Sequence, residues 1–256
     1  MIAVGVALGA LIGVLPGLLG GGGSILAVPA LVYGLGLGVE QAIPISLIVV
    51  AAASAVGVLP KIRARQVRWR MAGIFSAAGI PATLAGSAIS RHLPESALLI
   101  GFAAVMVVAG IRMLTDQSST GTACEIREGK VNWRRCAPRS IGAGLVVGLL
   151  TGLFGVGGGF LIIPALVVVL GVEMSTAIGT SLLIIIANSV AGIFSHLQSI
   201  SVDWQVTGLF VAAAMVTSLI AGYVGTRTDT ERLQRWFAYL VFVVAGYVLI
   251  DTIFLR

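Results

Sequence analysis

An internal duplication constrains this chain more than any other feature of its sequence. Residues 13–32 (GVLPGLLGGGGSILAVPALV) and 148–167 (GLLTGLFGVGGGFLIIPALV) are identical at 12 of 20 positions without a gap. The same offset of 135 residues continues along the chain and, for example, aligns Trp69 with Trp204. A match of this kind indicates two copies of one structural unit, and in a hydrophobic chain two such halves are typical of transporters.

The chain is far more hydrophobic than a soluble domain of its length. Of its 256 residues, 58% are hydrophobic and 10% are charged, and the mean hydropathy is +1.07. Soluble domains carry about 25% charged residues. Most of the charge-free runs reach the roughly 20 residues that a helix needs to cross a bilayer, and they lack the alternation of a membrane β-barrel strand. The sequence therefore predicts an all-α polytopic membrane protein with spans at 42–60, 71–90, 96–114, 176–195, 205–226 and 236–255.

Each group of three spans follows a pair of apolar segments that glycines separate. The pairs are 2–19 with 24–38 and 141–154 with 159–171. The second arm of each pair is shorter than the roughly 20 residues of a spanning helix, so each pair forms either a helical hairpin or a re-entrant loop. We predict two inverted-topology repeats, each a Gly-broken helical hairpin plus three transmembrane helices. The predicted units are a first repeat, a cytoplasmic linker and a second repeat, at residues 1–114, 115–139 and 140–256.

The basic residues indicate how the two halves sit in the membrane. Fourteen of the 16 Lys and Arg lie in three segments, 61–70, 112–139 and 227–235, and the positive-inside rule places these segments in the cytoplasm. Segment 61–70 holds five of them, whereas its repeat equivalent, 196–205, holds none. We therefore expect the halves to have opposite orientations in a bacterial plasma (inner) membrane, with the termini outside. The basic segment 61–70 itself is interpreted as a topology determinant.

The two glycine-rich turns are the first candidate binding site. Backbone at membrane depth without a helical partner is tolerated where it is buried in protein or lines a wet cavity, and glycine lets a ligand approach the backbone. The helix that follows each turn would direct its free N–H groups at the turn, and such ends bind anions without any Lys or Arg. The alternative is close helix packing by small residues. The candidate residues are Gly20, Gly21, Gly22, Gly23, Ser24, Gly155, Gly157, Gly158 and Gly159.

Polar residues of the next helices are the second set of candidates. Their hydroxyls and amides have the chemistry to hydrogen-bond the oxygens of a substrate, and Asn188 has the strongest polar group among them. The alternative is that each bonds its own helix or bridges two helices. The set comprises Ser46, Ser54, Thr180, Ser181, Asn188 and Ser189.

Ionisable and thiol groups suggest little further chemistry. Glu173 stands at the start of a predicted helix, where an acid stabilises the N-terminus, with proton coupling as the alternative. His196 and Asp251 lie near outer helix ends and are interpreted as wetted interfacial residues, again with proton coupling as the alternative. Cys124 and Cys136 have no zinc-site spacing and are expected to be free thiols in the cytoplasmic linker. We expect no metal and no cofactor.

The duplicated motif resembles the TauE/SafE sulfite-exporter family of bacterial membrane proteins. The second copy carries G-x-x-G-x-G-G-G-x-x-x-x-P-x-L at residues 152–166, followed by Ala-Ile-Gly-Thr-Ser-Leu at 177–182. The first copy departs at Ser24, which replaces a glycine, and at 44–45, where Pro-Ile replaces Gly-Thr. The resemblance covers almost the whole chain except the linker, and it implies export of small anions such as sulfite and organosulfonates.

Together these features predict a secondary transporter that exports a small anion by alternating access, with an anion channel as the alternative. An enzyme is disfavoured because no predicted span carries a metal-ligand cluster or a Ser nucleophile near a His and an acid. The expected partners are a small anionic substrate and the lipid bilayer, and no nucleic acid. A coupling proton or ion and a homo-oligomer are left open.

Overall fold

The fold confirms the predicted all-α membrane class. A computed structural model describes residues 2–21, 23, 27, 31, 39–90, 92, 95–115, 126–127, 130–131, 133–154, 159–196 and 204–250. Nine α-helices occur among them: α1 Ile2–Leu19, α2 Val39–Arg63, α3 Trp69–Ser90, α4 Glu95–Thr115, α5 Trp133–Phe154, α6 Gly159–Pro164, α7 Met174–His196, α8 Trp204–Arg227 and α9 Thr230–Ile250. Between α4 and α5, the two-residue strands Ile126–Arg127 and Lys130–Val131 pair in antiparallel fashion.

Five of the described helices are long and apolar enough to cross a membrane. Their apolar stretches are Pro44–Arg63, Trp69–Ile89, Cys136–Leu153, Met174–Ile193 and Thr207–Arg227. Two boundaries differ from the prediction. Helix α5 begins at Trp133, inside the predicted linker, because the basic residues there continue the helix beyond its apolar part. Helix α9 begins at Thr230, six residues before the predicted span, and residues 251–255 lie outside the described part of the chain.

The arm that follows the second glycine turn is too short to cross. Helix α6 continues as a π-helix over Ala165–Val169, and Gly171 then turns the chain with a φ of 64°. The 11 residues from Gly159 to Val169 rise about 16 Å, roughly half of the ~30 Å hydrocarbon core. Pro164, which has no N–H to donate, marks the change to π-helical spacing, in which Leu170 N donates to Ala165 O at 3.2 Å. The length of this arm is therefore that of a re-entrant segment and not that of a spanning helix.

Each half of the sequence packs its first helix against the other half. Helix α1 lies along α8, and α5 lies along α3, through glycines spaced four residues apart. Small residues at this spacing let two backbones approach closely, which is a common basis of helix packing in membranes. The contacts repeat with the offset of 135 residues: they join Gly9 to Phe210, Gly13 to Ala214, Gly17 to Ser218, Gly144 to Phe75, Gly148 to Gly79 and Gly152 to Thr83.

The repeat-equivalent helices α2 and α7 run past each other in opposite directions. Leu47, near the start of α2, packs on Gly192, near the end of α7, where its Cδ1 atom lies 3.0 Å from the position of an added Cβ. Gln66, just after the end of α2, packs its carbonyl oxygen on Gly179, in the second turn of α7. The two helices therefore form an antiparallel pair between the halves.

The cysteine chemistry differs from the prediction. Cys136 is fully buried in the first turns of α5 and is disulfide-bonded, so the expected free thiol is wrong at this position. Its sulfur also lies 3.7 Å from the Ser140 hydroxyl, one helical turn along α5. Cys124, the other cysteine of the sequence, lies outside the described residues.

Candidate functional site

The first glycine turn begins where α1 ends, at Gly20. Gly20 has a φ of 74°, which L side chains rarely adopt, and its N–H donates to the Pro16 carbonyl oxygen at 2.9 Å. A Cβ at this position would lie 2.8 Å from the Ser181 Oγ atom and 2.9 Å from the Ile178 Cα atom. Both the backbone angle and the neighbouring helix therefore require glycine here.

Helix α7 holds this turn in place through one buried hydroxyl. Ser181 is fully buried, and its Oγ lies 3.1 Å from the Gly20 carbonyl oxygen and 2.8 Å from that of Ile178. A hydroxyl has one hydrogen to donate, so the two carbonyls share it. The bond satisfies a carbonyl at the end of α1 that has no partner within its own helix.

The glycine turn of the first half meets the helix that starts after the turn of the second half. A Cβ on Gly21 would overlap the carbonyl oxygen of Gly159, the first residue of α6. Gly23 folds back onto α1, because a Cβ there would lie 2.7 Å from Pro16 Cδ and 2.9 Å from the Ile12 carbonyl oxygen. The remaining turn candidates, Gly22, Ser24, Gly155, Gly157 and Gly158, lie outside the described residues.

Thr180 has a different neighbour from Ser181. It is fully buried, and its Oγ1 accepts a hydrogen bond of 3.2 Å from the backbone N–H of Arg68. The segment 64–68 therefore folds against the second turn of α7, where Gln66 also packs on Gly179. The structure thus brings the basic segment of the first half next to a candidate hydroxyl of the second.

Two candidates keep buried polar atoms that have no hydrogen-bond partner among the described residues. These atoms are Ser54 Oγ on α2 and Asn188 Oδ1 on α7. Counted from the contact between Leu47 and Gly192, Ser54 lies seven residues along α2 and Asn188 four residues along α7, so their levels differ by about one helical turn. Ser46 and Ser189 are buried on the same two helices. An unsatisfied buried polar atom is costly unless something else satisfies it, so both atoms are available to a ligand.

Lys61 is the feature that the sequence interpretation missed. It lies in the last turn of α2 and has no exposed surface, and its Nζ has no hydrogen-bond partner among the described residues. The neighbouring Arg63 and Arg65 are exposed, as a topology determinant requires. The sequence held one signal: Lys61 directly follows the charge-free run 42–60 and aligns with His196 in the repeat.

A polar cavity of about 650 Å³ opens beside the end of α2. Its walls come from the start of α7, the end of α8 and the start of α9, and they are lined by Gln66, Glu173, Ser175, Thr226, Thr228, Asp229, Glu231, Arg232 and Arg235. Most of its charges are already paired, since Arg232 Nε lies 3.2 Å from Asp229 Oδ2 and Arg235 Nη2 lies 3.5 Å from Glu231 Oε2.

Glu173 marks the edge of this cavity at the start of α7. Its Oε1 accepts a hydrogen bond of 2.9 Å from the Ser175 hydroxyl, and its backbone carbonyl accepts the Ala177 N–H at 2.8 Å. Nearby, burial lowers the pKa of the Arg68 guanidinium, and the Glu173 carboxylate opposes that shift by favouring the charged form. Glu173 therefore lies directly before the first residue of α7, and its carboxylate also offsets the charge of Arg68.

Comparison with known proteins gives one family match over nearly the whole chain. Residues 5–248 match the family described as Sulfite exporter TauE/SafE. The matched segment includes both glycine turns, both antiparallel helices α2 and α7, and Lys61.

Several curated relatives carry transporter names. A "Probable membrane transporter protein" of Xylella fastidiosa (strain 9a5c) is 32% identical over 244 residues, which cover 94% of this chain and 92% of the relative. "Probable membrane transporter protein YunE" of Bacillus subtilis (strain 168) is 23% identical over 97% of both chains. "Probable membrane transporter protein MJ0441" of Methanocaldococcus jannaschii is 31% identical over 119 residues, 43% of each chain.

Proposed function

The chain belongs to the sulfite exporter TauE/SafE family, a family of multi-pass membrane transporters, and on this premise we propose that it is a secondary transporter that exports a small anion. Its substrates would be sulfite, an organosulfonate or a related oxyanion or carboxylate. The observation that carries the proposal is the meeting of Gly21 with Gly159, together with the bond between Gly20 and Ser181. Broken helices that meet between two halves are where transporters of repeated architecture bind their substrates.

The packing between the halves supports alternating access as the mechanism. Because α1 lies on α8 and α5 lies on α3, each half carries a helix of the other. A rocking motion of the two halves would change the spacing at α2 and α7 and would shift the first glycine turn, which touches α6 and α7. The anion would be held at this junction by hydrogen-bond donors: backbone N–H groups, the Ser54 hydroxyl, whose Oγ is unpartnered among the described residues, and the side-chain NH₂ group of Asn188.

The direction of export depends on how the chain lies in the membrane. We place the three basic segments in the cytoplasm of a bacterial cell, in its plasma (inner) membrane. The disulfide at Cys136 favours an oxidising compartment, and it therefore favours the opposite orientation, with segment 112–139 outside the cytoplasm. The proposed orientation follows the charges, because 14 of 16 basic residues lie in those three segments and such charges near span ends determine orientation.

Counterflow into proteoliposomes tests the proposal and separates it from an anion channel. Purified protein would be reconstituted with unlabelled sulfite inside, and uptake of radiolabelled sulfite, small sulfonates and carboxylates would be measured with and without a pH gradient. A carrier shows uptake that the internal anion stimulates, whereas an open pore does not. Absence of stimulated uptake for the whole panel, from protein shown to be folded, would contradict the proposed function.

A further inference from the structure

Lys61 is a buried cation in the last turn of α2 that the family assignment leaves without a role. It is among the largest fully buried side chains of the described residues, and no described group hydrogen-bonds its Nζ. A buried charge without a partner is unfavourable, so ionisable residues inside membrane proteins usually mark a ligand or ion pathway. A purely structural position would be expected to hold an apolar residue instead.

The surroundings of Nζ come from two helices besides its own, α1 and α8. A Cβ added to Gly225 of α8 would lie 3.1 Å from Lys61 Nζ. It would lie 3.4 Å from the carbonyl oxygens of Gly17 and Leu18. These carbonyls belong to the last turn of α1, two to three residues before the Gly20 turn. An ammonium group has three N–H donors, so it can contact a carbonyl of α1 and still hold a second ligand.

Two residues that line the polar cavity are backbone neighbours of Lys61 or of the glycine beside it. Thr226, which lines the cavity, directly follows Gly225, and Gln66, which also lines it, donates its backbone N–H to the Lys61 carbonyl oxygen at 2.9 Å. The side chain of Gln66 has a buried Oε1 atom without a partner among the described residues. Two unpartnered polar atoms of the described structure, Lys61 Nζ and Gln66 Oε1, thus belong to residues at the end of α2 whose backbones are hydrogen-bonded.

The choice of lysine adds a sequence argument. The chain has 16 basic residues, and only Lys61 and Lys130 are lysines. The exposed basic residues of segment 61–70, which are Arg63, Arg65 and Arg70, are all arginines, which suits a topology determinant or a surface contact. Lysine presents a compact point charge on a flexible stem, which suits a small anion in a confined space.

We propose that Lys61 supplies the positive charge of an anion-binding site where α1, α2 and α8 end together, reached from the polar cavity. The ligand is a small oxyanion, and Gln66 offers the N–H donors of its side-chain amide as a second contact, since its Oε1 atom can only accept a hydrogen bond. This inference rests on the proposed function and adds the charge that the glycine turns lack. The site lies next to the end of α1, so an anion leaving it would pass to the turn at Gly20 and Gly21.

The test compares Lys61→Met with Arg65→Asn, which removes an exposed charge from the same segment. Arg65 has a φ of 57°, and asparagine tolerates that backbone angle. Stabilisation by sodium sulfite, methanesulfonate and acetate would be measured as a thermal shift, and counterflow would be measured with the same anions. We expect Lys61→Met to keep or raise the melting temperature without anion, to lose the anion-dependent shift, and to lower counterflow at least about 30-fold. Arg65→Asn should stay close to wild type in both assays.

Three outcomes would overturn the inference. A wild-type shift and wild-type counterflow in Lys61→Met would remove Lys61 from the site while leaving the proposed function intact. A lower melting temperature with unchanged affinity would show that Lys61 only caps α1. A wild-type protein that responds to none of the anions would overturn the proposed function and this site together. Should Lys61→Met fail to fold, Lys61→Gln, which keeps polarity without charge, provides the same comparison.

Discussion

The hydroxyl of Ser181 donates a hydrogen bond to the carbonyl oxygen of Gly20 at 3.1 Å, although the two residues are 161 positions apart in the sequence. The bond joins the turn that ends α1 in the first half to α7 in the second. Both groups are buried, so the bond forms away from water and neither group has a solvent substitute. The position of the first glycine turn therefore depends on where α7 stands.

Substitution of Gly20 by alanine should destabilise the protein and abolish transport. Alanine at a φ of 74° costs about 1–2 kcal/mol, and its Cβ would also displace Ser181 or Ile178. We expect the melting temperature to fall by about 4 °C or more. Gly73→Ala on α3 is the matched control, because a Cβ there meets nothing within 4 Å, and it should keep full counterflow. Equal behaviour of the two variants would contradict the role of the turn.

Substitution of Gly21 by valine tests the contact between the two turns. The new side chain would overlap the Gly159 carbonyl oxygen, so α6 would have to move away from the turn. We expect counterflow to fall to background while the protein still inserts and elutes as a single species. Gly142→Val at an open position of α5 controls for the added volume. Wild-type flux in Gly21→Val would show that the turns do not form the transport site.

Substitution of Ser181 by alanine should cost about 1–3 kcal/mol of stability, because the Gly20 carbonyl loses its donor in a buried place. Transport should fall at least about fivefold, as the turn becomes free to shift. Ser87→Ala serves as the control, since Ser87 is exposed and its hydroxyl donates to the Leu84 carbonyl oxygen of its own helix, α3. Unchanged melting temperature in Ser181→Ala would argue that the bond contributes nothing to the turn.

Substitution of Asn188 by leucine separates binding from folding. The buried Oδ1 atom has no partner within the described structure, so its removal should leave the melting temperature unchanged or raise it. If the amide contacts the anion, KM for counterflow should rise about 5- to 30-fold, the loss of one hydrogen bond to a charged group being about 1–2 kcal/mol. A lower melting temperature with unchanged KM would instead assign Asn188 to helix packing.

The orientation can be tested at a single exposed position. A cysteine placed at Arg65, in a background without Cys124 and Cys136, should react with a membrane-impermeant maleimide only after the cells are permeabilised, because the positive-inside rule places segment 61–70 in the cytoplasm. Labelling in intact cells would reverse the orientation and would agree with the disulfide at Cys136. Mobility of the wild-type protein with and without reductant would report directly on that disulfide in cells.

The helices themselves were predictable because the bilayer demands long apolar runs. The predicted spans correspond to α2, α3, α4, α7, α8 and α9, and the predicted break after residue 19 is the observed end of α1. Boundaries failed where charged residues continued a helix beyond its apolar part, as at Trp133 and Thr230. Hydropathy detects the lipid-facing segment of a helix, but it does not detect the part of the helix that extends into water.

The candidate site was predictable only in its residue types. The repeat pointed to the glycine turns and to Ser181, yet it could not show that Gly21 touches Gly159 or that Thr180 accepts a bond from the Arg68 backbone. Lys61 was grouped with its arginine neighbours, since a sequence gives charge and spacing but no burial. Its enclosure depends on Gly225, which lies 164 positions away in α8.

The sequence by itself determined the duplication, the helical membrane class and the positions where the helices break, because each of these follows from local composition and from the thickness of a bilayer. Only the tertiary structure decided which turn meets which helix and which cation is buried. These relationships depend on contacts between residues more than 100 positions apart, and such contacts are fixed by close packing of helix surfaces and by the need to satisfy buried polar groups.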